Sequence, residues 1–140
     1  MTEQSEPRSN KELAAWIKQQ LGSAVHELID QGVFESVTVE AKPAWVFPFS
    51  LLIGRIREDR RSASFYWFIC GDGPITHIHS SIAPTPRDAA RHFALQWHLD
   101  AARKGEEGGA LAAKAAALYE LVEEHTLWQQ GIPGSEQGSG

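Results

Sequence analysis

An aromatic run, Phe65-Tyr66-Trp67-Phe68-Ile69-Cys70, leads straight into Gly71-Asp72-Gly73-Pro74 and then Ile75-Thr76-His77-Ile78-His79. If this chain does chemistry, the carboxylate of Asp72 and the imidazoles of His77 and His79 are the groups placed to do it. Side chains alternate along a strand, so His77 and His79 share a face and could chelate one metal ion if a third ligand, from Asp72, His92 or His98, converged on them. Two histidines with no matching His, Cys or Glu spacing elsewhere fall short of a ligand set. No metal and no cofactor is therefore expected, His77 and His79 being the nearest approach to a metal site. The Gly-Asp-Gly-Pro stretch lacks the Lys and the Ser or Thr of a phosphate loop, and Asp72 would repel phosphate. A turn explains it better, with the glycines at positive φ and Asp72 accepting backbone N–H bonds.

A pocket at the end of this strand would draw on Trp67, Asp72, His77, Arg87, His92 and Trp97, with the two tryptophans as walls. Arg87 lies in the first turn of a helix, whose free N–H groups attract anions, although Asp88 in the same turn opposes them. For the five tryptophans the core is the first explanation, and an aromatic groove between sheet and helices is the functional rival. Ser80 and Ser81 adjoin His79, but adjacency is not the nucleophile, base and orienter geometry that hydrolysis needs. Arg55, Arg57, Arg60 and Arg61 crowd one segment, interrupted by Glu58 and Asp59, and read as a solvated hairpin with no aromatic platform interleaved. Cys70, the single cysteine, lies inside an apolar strand and reads as an inert core residue.

These groups need elements to hold them. Ser9 and Glu12 make a capping box, and Leu13, Trp16, Ile17, Leu21, Ala24, Val25, Leu28 and Ile29 follow at helical spacing up to a Gly32 cap. From Ser36 the period falls to 2, with Val37, Val39 and Ala41 on one side, which reads as an edge strand with one wet face. Trp45 to Ile56 and Phe65 to Cys70 are apolar on both alternations and read as central strands, with Pro48 marking a bulge or edge stretch in the first. Ile75 to His79 is a short fourth strand. Thr85, Pro86 and Asp88 then start a second helix with a stripe of Ala90, Phe93, Ala94, Trp97 and Ala101, ending near Lys104 to Gly105. Gly105 to Gly109 is a loop, and Leu111, Ala115, Leu118, Leu121, Val122 and His125 make a third helix closed by Gly131.

The chain has 140 residues, 42% of them apolar, and a net charge of −5. That length suits one core, with residues 9–130 as a single domain and residues 1–8 and 131–140 as tails too polar to order. The acidic balance argues against nucleic acid as a partner. No stretch reaches the ~20 apolar residues that span a bilayer, and no leader is readable at the N-terminus. A cytoplasmic location is expected.

Tyr66-Trp67-Phe68-Ile69, then Gly71-Asp72 and Pro74, then Pro86-Arg87 with Ala90, Phe93, Leu95, Gln96 and Trp97, and finally Leu118-Tyr119-Glu120-Leu121 and Leu127-Trp128 form a scattered pattern. It resembles a family of small bacterial proteins known only as a domain of unknown function, over the span from Trp16 to Trp128. The resemblance implies a bacterial source, one small domain and no assigned activity. Where that family tends to carry an Asp followed by an aromatic residue or His after the proline, this chain has Thr76 and His77, which leaves Asp72 as the surviving carboxylate.

The expected fold is α+β: an N-terminal helix, an antiparallel meander of three to four strands, and two C-terminal helices, packed chiefly on one face of the sheet. The expected role is a non-enzymatic binding or protein-interaction module, working on a protein partner or as a homodimer. Two alternatives stand beside it. One is a small-ligand or metal-dependent site, and with it an enzyme, at the Gly71–Pro74 turn and His77/His79; the other is an acidic chaperone-like or inhibitory partner protein.

Overall fold

The computed structural model describes residues 9–35, 38–58 and 64–129. The two tails, the Ser36-Val37 start of the expected first strand, most of the Arg57–Arg61 hairpin and the Gly131 cap lie outside these residues in whole or in part.

Helix α1, Asn10–Asp30, begins where the capping box puts it: Ser9 Oγ accepts the Glu12 N–H at 3.1 Å, and Glu12 Oε1 accepts the Ser9 N–H at 3.2 Å. It stops at Gly32, whose φ of 78° reverses the chain. The Gly32 N–H reaches the carbonyl of Ile29 and the Val33 N–H that of Leu28, so the last carbonyls of α1 are satisfied by a Schellman motif.

Four strands follow in chain order, β1 Glu40–Phe47, β2 Leu51–Arg57, β3 Tyr66–Gly71 and β4 Thr76–His79, each antiparallel to the next. This corrects the strand bounds. The continuous apolar stretch from Trp45 to Ile56 is two strands, joined through Pro48, Phe49 and Ser50. Phe49 takes a φ of 62° there, and the Ser50 N–H closes the turn on the Phe47 carbonyl at 2.9 Å. A bulge between Pro43 and Trp45 shifts the β1 register, so that Lys42 opposes Arg55 on one side of it and Trp45 opposes Ile53 on the other. β1 and β4 are the edge strands, and Pro43 removes one N–H donor of β1.

After a 3-10 turn at Ser80–Ile82, helix α2, Pro86–Lys104, starts on Thr85, whose hydroxyl accepts the Asp88 N–H at 3.1 Å. Gly105, at φ 64°, ends it. The expected loop is a single 3-10 turn, Gly105–Gly108, that folds helix α3, Gly109–Glu123, back along α2. A final 3-10 turn, His125–Trp128, closes the described chain.

The sheet has helices on both faces: α2 and α3 pack together on one, as expected of the two C-terminal helices, and α1 covers the other. Leu52, Ile56, Phe68 and Cys70 pack with Leu13, Ala24 and Leu28 of α1. Leu51, Ile53, Trp67, Ile69 and Ile78 pack with Phe93, Ala94 and Trp97 of α2 and with Ala115, Leu118 and Val122 of α3. The strict alternation in β2 and β3 sends neighbouring residues into opposite cores, which is why Leu51 to Ile53 and Trp67 to Cys70 are apolar on both alternations. Gly54 makes room for Phe68 across the ladder, since a Cβ there would lie 2.5 Å from Phe68 Cζ. No helix among the described residues is long and apolar enough to cross a membrane.

Candidate functional site

The turn that ends β3 is shaped by its glycines, with φ of 113° at Gly71 and 144° at Gly73. Both lie in space that admits no side chain: a Cβ on Gly71 would come 2.2 Å from the Ser50 carbonyl oxygen, and one on Gly73 would come 2.5 Å from the Trp97 ring. The Asp72 N–H donates to the Ser50 carbonyl at 2.8 Å, tying this turn to the β1–β2 turn. The Asp72 carboxylate does not accept backbone N–H groups as expected. It reaches α3 instead, where Lys114 Nζ meets Oδ1 at 2.7 Å.

Trp97 is buried and held on both sides. Its indole N–H donates to Thr76 Oγ1 at 3.0 Å, and that hydroxyl in turn donates to the Pro74 carbonyl at 3.2 Å. Gly73 lies against its ring, so the turn and α2 fix the indole plane together.

Between the two turns and α3 these groups enclose a cleft of about 330 Å³. Its floor is apolar, made of Phe47 and Leu51 from the sheet, Trp97 from α2, and Leu118 and Leu121 from α3. Its rim carries Asp72, Lys114, Glu120 and Glu124, with Ser50 beside them. Among the described residues of this rim three carboxylates face one ammonium, which is committed to Asp72.

The six residues read as one pocket from the sequence divide among separate surfaces. Asp72 and Trp97 meet in the cleft. Trp67 shares their side of the sheet but is buried in the core, its indole N–H donating to the Ala83 carbonyl at 2.8 Å. His77 opposes Phe68 across the ladder and therefore points to the α1 side, away from both tryptophans. His92 is exposed on the outer side of α2. Arg87 is engaged elsewhere, its Nε donating to the Val122 carbonyl at 2.8 Å and its Nη1 lying 3.2 Å from His125 Nδ1. A cation at those last carbonyls complements the negative end of the α3 dipole.

His77 and His79 do share a face, and the Tyr66 ring lies edge-on to both at 5.5 Å between centroids. Burial lowers the His77 pKa from its ordinary 6.5. His79 Nδ1 accepts the Ser81 N–H at 3.0 Å and caps the 3-10 turn. Among the described residues no group of three or more His, Cys, Asp and Glu is placed to hold a metal ion. Burial pushes the Cys70 thiol up to about 12, which removes the thiolate that nucleophilic chemistry needs.

Lys114 and Glu124 did not stand out in the sequence, and Glu120 did so only within the family pattern. The only other signal is that they flank Leu118 and Leu121 at helical spacing, so the apolar stripe of α3 is bounded by charge where it leaves the core.

A four-stranded antiparallel meander between one N-terminal helix and a C-terminal helix pair, with a cleft at the turn end of the sheet, defines a small α+β domain. The chain belongs to the family described as a domain of unknown function, DUF4826, which matches residues 10–128. No curated protein and no solved structure matches it.

Proposed function

We propose that this domain is a non-enzymatic binding module and that the cleft beside α3 receives a positively charged group carried on an apolar body. One observation carries this reading: an apolar floor that includes the locked Trp97 ring, under a rim of Asp72, Glu120 and Glu124 whose one cation among the described residues, Lys114, is paired. A cation entering at this rim gains the carboxylates while its apolar body meets the floor. The occupant is an amine ligand or a Lys or Arg side chain of a protein partner, a second copy included. The lone buried cysteine and the acidic charge support a cytoplasmic setting for this binding.

The test is NMR titration with phenethylammonium, with phenylacetate as its anionic counterpart. Saturable shifts at the Trp97 indole N–H and the Lys114 amide are expected with the amine alone, and they should fade in the Glu120→Gln/Glu124→Gln double variant. Absence of any shift up to about 10 mM, near −3 kcal/mol, or equal response to both probes, would overturn the reading. A basic peptide that shifts the same resonances at lower concentration than the amine would identify the source as a protein.

A further inference from the structure

At the opposite end of the same sheet face the charge reverses. The residues alternate so that Glu40 and Lys42 of β1 lie beside Arg55 and Arg57 of β2, with Lys42 directly across from Arg55 and Glu40 across from Arg57. Two cations facing each other on adjacent strands repel. Glu40 offsets part of this: its carboxylate lies 3.4 Å from Lys42 Nζ and 3.4 Å from Arg57 Nη2. Arg55 receives none of it. Its guanidinium lies over aromatic rings instead, 5.7 Å from the Phe65 centroid and 5.9 Å from that of Trp67, and no carboxylate among the described residues pairs with it. Phe65 and Trp67 therefore supply the aromatic platform that the sequence pattern did not reveal.

The cation–π contacts hold the planar fork in place while leaving its N–H edge open, and Trp67 is itself anchored through the Ala83 carbonyl. Lys42, Arg55, Arg57 and Glu40 line a hollow of about 180 Å³ walled on one side by Phe65. The chain carries a net charge of −5, yet the described residues that line this hollow include Lys42, Arg55 and Arg57 beside Glu40.

We propose that this hollow is an anion-binding site, separate from the cleft beside α3, for a small organic molecule bearing a phosphate or carboxylate group. Arg55 binds the oxygens with its fork, Lys42 adds a point charge from the neighbouring strand, and Phe65 packs against the body of the ligand.

Phenyl phosphate is the probe, followed by NMR detection of arginine Nε–H groups and backbone amides, with benzoate and inorganic phosphate as comparisons. Saturable shifts are expected at the Arg55 Nε–H and at the amides of Lys42 and Phe65, with the cleft residues Asp72 and Lys114 unmoved. Loss of the Arg55 fork in Arg55→Gln should weaken binding by about tenfold or more, and Lys42→Gln should weaken it less. Arg55 and Lys42 are exposed, and a circular-dichroism melt of each variant that superimposes on that of the parent assigns the loss to the site. Tighter binding of benzoate than of phenyl phosphate assigns the site to carboxylates, and the reverse assigns it to phosphates. Unchanged affinity in Arg55→Gln, or shifts spread evenly over remote cations such as Lys11, Lys18 and Arg91, would overturn the site.

Discussion

Trp45 and Trp128 stack face to face, 4.0 Å between ring centroids and 12° between planes. The Trp45 indole N–H donates to the Leu127 carbonyl at 3.0 Å and the Trp128 indole N–H to the Leu121 carbonyl at 2.8 Å. The last described turn is thus clamped onto edge strand β1.

Replacing Trp128 by Ala removes the stack, the indole hydrogen bond and the cover over β1. A destabilisation of about 2–3 kcal/mol is expected, read from urea unfolding curves with an unchanged slope. Trp128→Phe, which keeps a ring against Trp45, should recover much of it. A loss below about 0.5 kcal/mol, the range of ordinary surface substitutions, would show that the turn is not clamped.

Gly73→Ala places a methyl group against the Trp97 ring at a φ that side chains rarely adopt. The two effects act together, so a cost of about 1–3 kcal/mol is expected. Displacement of Trp97 should also shift its indole N–H resonance. An unchanged resonance with unchanged stability would mean that the turn does not position Trp97.

His77 makes stability depend on pH. Its pKa is lowered on folding by burial, so the unfolded chain takes up a proton first as pH falls. The contribution is fully present above the ordinary value of 6.5 and is lost as pH falls through the lower folded value. The parent should therefore lose stability relative to His77→Phe between pH 7 and the acid side of that window. Parallel stability curves for the two proteins would sink the assignment.

Cys70 is buried, with its thiol pushed up to about 12. Iodoacetamide should leave the native protein unlabelled over hours at neutral pH and label it stoichiometrically in denaturant. Rapid native labelling, followed by mass spectrometry, would show that the α1 side of the sheet opens.

Much of the fold follows from bonds between near neighbours. The Ser9–Glu12 capping box, the Gly32 stop and the Thr85-Pro86-Asp88 start are each settled within a few residues, so residue type and spacing suffice to read them. The paired glycines at 71 and 73 likewise announce a turn with positive φ. The split of Trp45–Ile56 was not legible, because a run apolar on both alternations has no period to break and Phe49, at φ 62°, is not a residue that advertises a turn.

The sequence by itself determined both ends of α1 and of α2, the alternation that puts His77 and His79 on one face, and the family membership, whereas the third helix, expected to include His125, ends at Glu123. Tertiary structure alone decided which core each strand face enters, and hence that His77 and Trp97 lie on opposite sides of the sheet. It also decided that Asp72 meets Lys114, 42 residues away, and that Lys42, Arg55 and Phe65 share one hollow. The physical reason is the same in each case: a local pattern sets what a side chain does relative to its own backbone, whereas the layering of helices on two sheet faces sets its neighbours.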